Sequence, residues 1–219
     1  MATRQVLNEL AKAYQQQSGQ KVAVEAVGGV DAARRVAAGE AFDFVVLAAD
    51  AIDKLIASGQ LVAGSRVDLV HSGVTVAVKS GAARPDISTE AALKRAVLAA
   101  PTVGYSTGPS GVAVVKLFER WGIAQELQGR LVQAQPGIPV GALVARGEVA
   151  LGFQQLSELI HLQGIDLVGP MPAPVQIDTV FSAGLCQAST QAGAVRELFA
   201  FLASPAAEEA KRRNGMDAA

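Results

Sequence analysis

The chain of 219 residues has few of the side chains that build disulfides or metal centres. Its one cysteine, Cys186, excludes an intramolecular disulfide, and its two histidines, His71 and His161, have no cysteine beside them to suggest zinc. Lys and Arg number 19 against 20 Asp and Glu, so the basic surplus typical of nucleic-acid binders is missing. We therefore expect no metal, no cofactor and no nucleic-acid partner.

Long hydrophobic runs are missing as well. No stretch reaches the roughly 18 consecutive apolar residues that a membrane-spanning helix needs, so we expect no membrane insertion. The first residues, Met1–Gln20, are polar and helical in pattern and do not resemble a signal peptide. Half of the residues are hydrophobic and 18% are charged, which predicts a folded protein with a substantial buried core.

What the sequence does have is an alternation of strand and helix patterns. Phe42–Ala48 is a continuous apolar run typical of a buried strand, and Asp50 is the predicted N-cap of a helix over 51–58. Lys21–Ala26 alternates in polarity as a strand does. This alternation predicts an α/β fold in which helices flank the sheets on both faces.

Two predicted strands, 66–79 and 176–187, are longer than the others and enclose a block of about 100 residues, enough for an independent lobe. We therefore predict a first lobe made of 1–75 and 182–219 and an inserted second lobe of 76–181. The two long strands would form a hinge, and a small ligand would bind in the cleft between the lobes.

Three joints between a loop and a helix carry small and hydroxyl residues suited to an anion. Backbone N–H groups at a helix N-terminus lack internal partners and carry partial positive charge, so glycine and hydroxyl residues there can form an anion site. Residues of this type also serve as ordinary helix caps, and that alternative stays open. The candidates are Thr3 and Arg4 at the first joint, Gly29 and Val30 at the second, and Tyr105, Ser106, Thr107, Ser110 and Gly111 at the third.

Patterns for covalent catalysis are absent, since neither G-x-S-x-G nor a phosphate-binding glycine motif occurs. Gln154 and Gln155 follow a predicted strand, where they could contact a ligand or begin a helix. The basic run Lys211–Arg213 is interpreted as a solvated helix face, and Cys186 as buried and unreactive.

Four segments resemble periplasmic solute-binding proteins of the molybdate-binding type. The resemblance covers nearly the whole chain, and the segments occur in the family's order. They are Phe42–Asp50, the V-D-L-V-x-x-G-V-x-V-A-V pattern of Val67–Val78, Gly147–Phe153, and Phe201–Gly215.

The resemblance implies a two-lobe fold of the periplasmic-binding-protein type, with mixed sheets and two hinge strands, that closes on an anion. The residues it assigns to ligand contact are Gly29 or Val30, Ser110, Ile138 or its neighbour Gly137, and Gln155. Two departures are visible. Gln155 stands where the oxyanion binders have a tyrosine, and the chain begins after the position of the family's first strand.

The resemblance further implies a periplasmic monomer that binds a small oxyanion or carboxylate for an ABC-transporter permease. The location would be cytoplasmic if the start is genuine. Arg4 suits a carboxylate better than molybdate. The first alternative is an enzyme similar to aconitate isomerases, which act on a tricarboxylate, and for it no base with a visible partner stands out. The second is a soluble sensor domain with the same fold.

Overall fold

The structure is a computed structural model that describes residues 1–219. The chain forms two compact units, one made of Met1–Ser72 with Thr179–Ala219 and the other of Gly73–Asp178. It passes from the first unit to the second within β2 (Val67–Lys79) and returns at the start of β7 (Asp178–Leu185). Both units combine helices with strands, which confirms the predicted α/β class.

The first unit has a small sheet with helices packed on it. β1 pairs with β7 in antiparallel fashion, β7 lies beside β2, and the short β8 pairs with β2. Its remaining elements are α1 (Arg4–Ser18), α2 (Gly29–Ala37), β1 (Phe44–Ala48), α3 (Ala49–Ala57), α8 (Ala192–Leu202), a 3₁₀ turn (Pro205–Ala207), α9 (Glu208–Arg213) and β8 (Asp217–Ala218).

Helix α1 shows how the apolar pattern sets the packing of this unit. Val6, Leu10 and Tyr14 lie on one face at helical spacing, and all three are buried against α8 and the sheet. Gly19 ends the helix with φ of 74°, a left-handed conformation that glycine adopts without steric penalty.

The strand predicted over Lys21–Ala26 is wrong. The segment is extended and its side chains alternate in exposure, but it belongs to no strand ladder. A strand requires a hydrogen-bonded neighbouring strand, and no strand of the fold pairs with this segment. Similarly, β1 pairs with β7 alone, so one edge of this sheet has no partner strand.

The second unit is built around five strands in the order β4-β3-β5-β2-β6. β3 runs parallel to β4 and β5, whereas β2 is antiparallel to β5 and β6. The elements are α4 (Glu90–Ala99), β3 (Val103–Tyr105), α5 (Pro109–Arg120), β4 (Leu131–Gln133), α6 (Val140–Arg146), β5 (Leu151–Gln155), α7 (Leu156–Leu159), β6 (Ile165–Pro170) and a 3₁₀ turn (Ala173–Val175).

Helices α5 and α6 cover opposite faces of this sheet. A Cβ on Gly152 would lie 2.6 Å from Val144 of α6, so even-numbered positions of β5 face α6. Phe153 faces the other way and meets Phe118 of α5 edge to face, with ring centroids 5.8 Å apart. Because side chains alternate along a strand, Gln155 shares the α5 face with Phe153.

Two local predictions fail because tertiary contacts override local preference. Asp50 lies in the first turn of α3, and Ala48 occupies its N-cap position. Lys211, interpreted as solvated, is only 1% exposed because α9 turns that side chain toward the core of the first unit.

No helix in the structure has the length and hydrophobicity that crossing a membrane requires.

Candidate functional site

The first turn of α5 presents backbone donors that the chain does not use. Pro109 is the first helical residue, and Gly108 at the N-cap provides no side-chain acceptor. The first bond of the helix runs from the N–H of Val112 to the carbonyl of Gly108, at 3.1 Å. The amides of Ser110 and Gly111 therefore remain available, as expected at a helix N-terminus.

Two hydroxyl groups lie beside these amides. The Oγ atoms of Ser106 and Ser110 are 3.5 Å apart, and Ser110 is buried. A Cβ on Gly111 would lie 1.9 Å from the carbonyl oxygen of Ser106, so the loop folds tightly onto the helix and requires glycine there. Thr107 is exposed and Tyr105 is half-buried at the end of β3. This arrangement concentrates N–H and O–H donors, which suits an anion.

Gln155 adds an unsatisfied polar group on the same face of the sheet. β3 and β5 are parallel, with Gly104 opposite Gly152, so Gln155 and the loop after Tyr105 lie at the same carboxyl edge. Gln155 is 4% exposed, and its Oε1 atom has no hydrogen-bond partner. A buried polar atom without a partner costs about 1–3 kcal/mol, so a ligand that bonded to this amide would recover that free energy.

The neighbouring glutamine plays a different role. Gln154 accepts a hydrogen bond from the N–H of Gly141 at 3.3 Å and donates one to Oε2 of Glu158 at 2.7 Å. Burial raises the pKa of the Glu158 carboxyl, and the hydrogen bond from Gln154 opposes that rise. Gln154 therefore joins α6 to α7 on the face of β5 opposite to α5. Ile138, which is exposed, precedes α6.

In the first unit the structure brings the first two joints together. The amino group of Met1 donates to the carbonyl of Val27 at 3.4 Å, so the starts of α1 and α2 are adjacent. Thr3 is the buried N-cap of α1, and its side chain makes no capping bond. Arg4 is exposed in the first turn of α1. Gly29 and Val30 begin α2, and Val30 is 72% exposed.

Other reactive groups of the first unit are poorly placed for catalysis. Glu25 is paired with Arg35, whose hydrogen bonds hold the pKa of that carboxyl below its usual value. Burial raises the pKa of the Cys186 thiol to about 11, which leaves it protonated and unreactive at neutral pH. In the chain as a whole, no group of three or more His, Cys, Asp or Glu side chains could hold a metal ion.

A family model described as bacterial extracellular solute-binding protein matches residues 1–217. The chain belongs to this solute-binding family. An aconitate isomerase from Pseudomonas sp. is 40% identical over 216 residues, which cover 96% of this chain and 82% of the relative. The match to a solute-binding family confirms the type of protein that the sequence resemblance predicted.

Solved structures agree on the fold of this solute-binding protein. The periplasmic molybdate-binding protein of Azotobacter vinelandii superposes with a TM-score of 0.80 at 19% identity, over 98% of this chain and 95% of that one. The substrate-binding domain of a putative molybdenum ABC transporter from Clostridium difficile superposes with a TM-score of 0.78 at 15% identity, over 99% of this chain and 94% of that one. These similarities confirm the periplasmic-binding-protein fold.

Proposed function

We propose that this protein binds a small oxyanion or carboxylate at the first turn of α5 and delivers it, in the periplasm, to the permease of an ABC transporter. The family is one of solute-binding proteins, and two of its structural neighbours are named for molybdate or molybdenum. The residues that we assign to the ligand in the second unit are Ser110, Gly111 and Gln155, with Ser106 and Tyr105 beside them.

One observation carries this proposal, namely the buried and unpartnered oxygen of Gln155 on the α5 face. The free amides of Ser110 and Gly111 accommodate the negative oxygens of a ligand, and Oε1 of Gln155 accepts a hydrogen bond from a hydroxyl or protonated oxygen of the same ligand, such as the hydroxyl of citrate. The other predicted ligand contacts stay predictions, namely Thr3, Arg4, Gly29, Val30, Thr107, Ile138 and Gln154. Gln154 is the weakest of them, because both ends of its amide already form hydrogen bonds within the protein.

Isothermal titration calorimetry tests the proposal with molybdate, tungstate, sulfate, phosphate, citrate and trans-aconitate. We expect saturable binding of at least one of these anions and none of a neutral sugar. Gln155→Met keeps the side-chain volume but removes the amide, and we expect about a tenfold loss of affinity without loss of stability. Absence of heat across the panel from folded protein would contradict the proposal.

The matched control is Gln154→Met. That substitution leaves the N–H of Gly141 and the carboxyl of Glu158 without their partner, so it should lower the free energy of unfolding by about 1–3 kcal/mol. The two variants thus separate a ligand contact from a structural one. If Gln155→Met destabilised the protein and left affinity unchanged, Gln155 would be structural too.

A second candidate function is isomerisation of an unsaturated tricarboxylate, and the aconitate isomerase relative favours it. Such an isomerisation needs a group that removes and returns a proton at carbon. Tyr105, at the end of β3 and beside the first turn of α5, is the candidate group in the second unit. Glu158 is bonded to Gln154 on the opposite face of β5, so it is not placed to reach a ligand at α5.

Proton NMR in deuterated water distinguishes binding from catalysis. We expect an enzyme to exchange the acidic C–H of trans-aconitate for deuterium and to form the cis isomer, whereas a transport protein binds without exchange. Tyr105→Phe, which removes only the phenolic hydroxyl, should abolish the exchange and preserve binding. Exchange at the background rate in protein that binds trans-aconitate would exclude the isomerase.

A further inference from the structure

The Oε1 atom of Gln155 differs from the other polar groups beside the first turn of α5, because it can only accept a hydrogen bond. The backbone N–H groups of Ser110 and Gly111 are donors, and the hydroxyls of Ser106 and Ser110 can donate as well. These donors suit the negative oxygens of an anion. An amide oxygen carries partial negative charge and repels such oxygens, so this position requires a different group of the ligand.

The protein itself does not satisfy this oxygen. Gln155 is buried, and its Oε1 atom has no hydrogen-bond partner in the structure. The hydroxyl oxygens of Ser106 and Ser110 lie 3.5 Å from each other, and neither bonds to Gln155. Because burial also shields the oxygen from bulk water, the missing donor has to come from the molecule that binds beside α5.

A comparison with Gln176 shows how a structural glutamine differs. Gln176 also has a buried Oε1 atom without a partner. Its Nε2 atom, however, donates to the carbonyl of Val74 at 3.2 Å and to the carbonyl of Ile177 at 3.3 Å. These two bonds explain why that amide is buried where it is. Gln155 instead ends β5 at the carboxyl edge of the sheet, where the loop before α5 also lies, so its oxygen is placed for a ligand.

A hydroxyl group fits this oxygen better than an ammonium group does. An ammonium ion has three donors and a full charge, and when it is buried it needs a carboxylate or several acceptors. The carboxylate of Glu158 is bonded to Gln154 on the opposite face of β5 and does not serve this purpose. A hydroxyl has one donor and no charge, so the single oxygen of Gln155 satisfies it.

We propose that the ligand is an anion with an O–H donor of its own, as hydroxycarboxylates and hydrogen phosphate have, and that Gln155 selects it over analogues without that donor. The inference rests on the proposed function, since it concerns the same site. Molybdate, tungstate, sulfate and carboxylates without a hydroxyl have no proton to offer at neutral pH. They leave the buried oxygen unsatisfied, and a site built to bond a hydroxyl rejects an analogue that lacks it.

Isothermal titration calorimetry at neutral pH with two matched pairs of ligands tests the inference. Citrate and tricarballylate differ by one hydroxyl group, and hydrogen phosphate and sulfate are tetrahedral anions of which only the first carries a proton. We expect the O–H member of at least one pair to bind about 10–100-fold more tightly. A preference within the first pair alone identifies a hydroxycarboxylate as the ligand, and one within the second pair alone identifies hydrogen phosphate.

Substitution of Gln155 shows whether this side chain is the source of the preference. In Gln155→Met we expect the two members of the pair to bind with equal affinity, since the acceptor is gone and the donors of α5 remain. Gln128→Met is the matched control, because Gln128 is exposed beyond the C-terminal end of α5, and it should keep the preference of the native protein. In crystals of the complex, the ligand hydroxyl should lie about 2.5–3.0 Å from Oε1 of Gln155.

The outcomes separate this inference from the proposed function. Saturable binding with equal affinities within both pairs would overturn the inference alone, since it would show that the ligand donates no hydrogen bond to the amide. A preference that survives in Gln155→Met would overturn it as well. If folded protein bound none of the four ligands and neither molybdate nor tungstate, the proposed function would be contradicted and the inference with it.

Discussion

The first turns of α5 and α1 look alike in sequence, yet the structure gives them different surroundings. Both follow a joint of small and hydroxyl residues, and both leave helix N–H groups without an acceptor. At α5 the neighbours are the hydroxyls of Ser106 and Ser110 and the unpartnered amide of Gln155. At α1 the neighbours are hydrocarbon side chains, among them Val46, Leu69 and Leu202, together with the aliphatic part of Lys211.

The difference teaches that a helix N-terminus becomes selective through the groups that other elements bring to it. Several neutral donors and an amide suit a ligand with several oxygens, which can be exchanged with solvent. The hydrocarbon side chains beside α1 offer a ligand no such groups. The local sequence at the two joints does not carry this information, because Gln155 and Lys211 come from distant positions.

The largest expected effect comes from a substitution that disrupts the tight loop before α5. In Gly111→Ala the added Cβ would meet the Ser106 carbonyl oxygen at 1.9 Å, so the loop must move away from the helix. We expect a loss of about 1–3 kcal/mol in the free energy of unfolding, measured in urea, and loss of anion binding in calorimetry.

Gly193→Ala is the control for this substitution. Gly193 lies inside α8, and a Cβ there meets nothing within 4 Å. We expect that change to be neutral or stabilising by about 0.5–1 kcal/mol, since alanine favours the helix. If Gly111→Ala behaved like Gly193→Ala, the turn would be looser than the structure describes, and the contrast between the two helix starts would weaken.

A smaller effect is expected from Ser110→Ala. The substitution removes one buried hydroxyl donor and leaves the backbone amides in place, so anion affinity should fall by about 1–2 kcal/mol. Ser88→Ala, in a loop away from α5, should leave affinity unchanged in the same calorimetric titration. Unchanged affinity in Ser110→Ala would indicate that only backbone groups of α5 reach the ligand.

The smallest effect is a pH dependence that comes from Lys211 in α9. Burial lowers the pKa of Lys211 in the folded protein, while the charge of Glu208 opposes this. The unfolded chain therefore holds more protons than the folded one, and the free energy of unfolding should rise with pH between the lowered pKa and the usual value of 10.5. Urea unfolding across that range should show this slope in the native protein and lose its Lys211 component in Lys211→Met. A slope unchanged in the variant would assign it to other groups.

Much of the fold was predictable because it follows from periodic patterns that single segments carry. The apolar face of α1 and the continuous apolar run of β1 each identify an element, and Gly19 marks a helix end. Lys21–Ala26 has a strand pattern as well, but pattern alone does not supply a neighbouring strand. The prediction that Asp50 is an N-cap was wrong, because β1 continues directly into α3 and Ala48 takes the N-cap position.

The candidate site was predictable in part. The joint at 105–111 stood out because hydroxyl and glycine residues are concentrated there, and the pair Gln154 and Gln155 stood out by its place after a strand. The different roles of the two glutamines depend on strand alternation between two helices, which requires knowing where α5 and α6 pack. The burial of Lys211 had no sequence signal, since α9 spans only Glu208–Arg213 and is too short for a clear periodicity.

The outer edge of β1 has a consequence for how the protein should be handled. Phe44–Ala48 is apolar throughout and hydrogen-bonds to β7 on one side only, so its other side presents backbone groups to any extended polypeptide. Native proteins commonly protect such an edge with charges, proline or a bulge, and this strand has none of them. Self-association through β1 is therefore the expected cause of aggregation in concentrated solution.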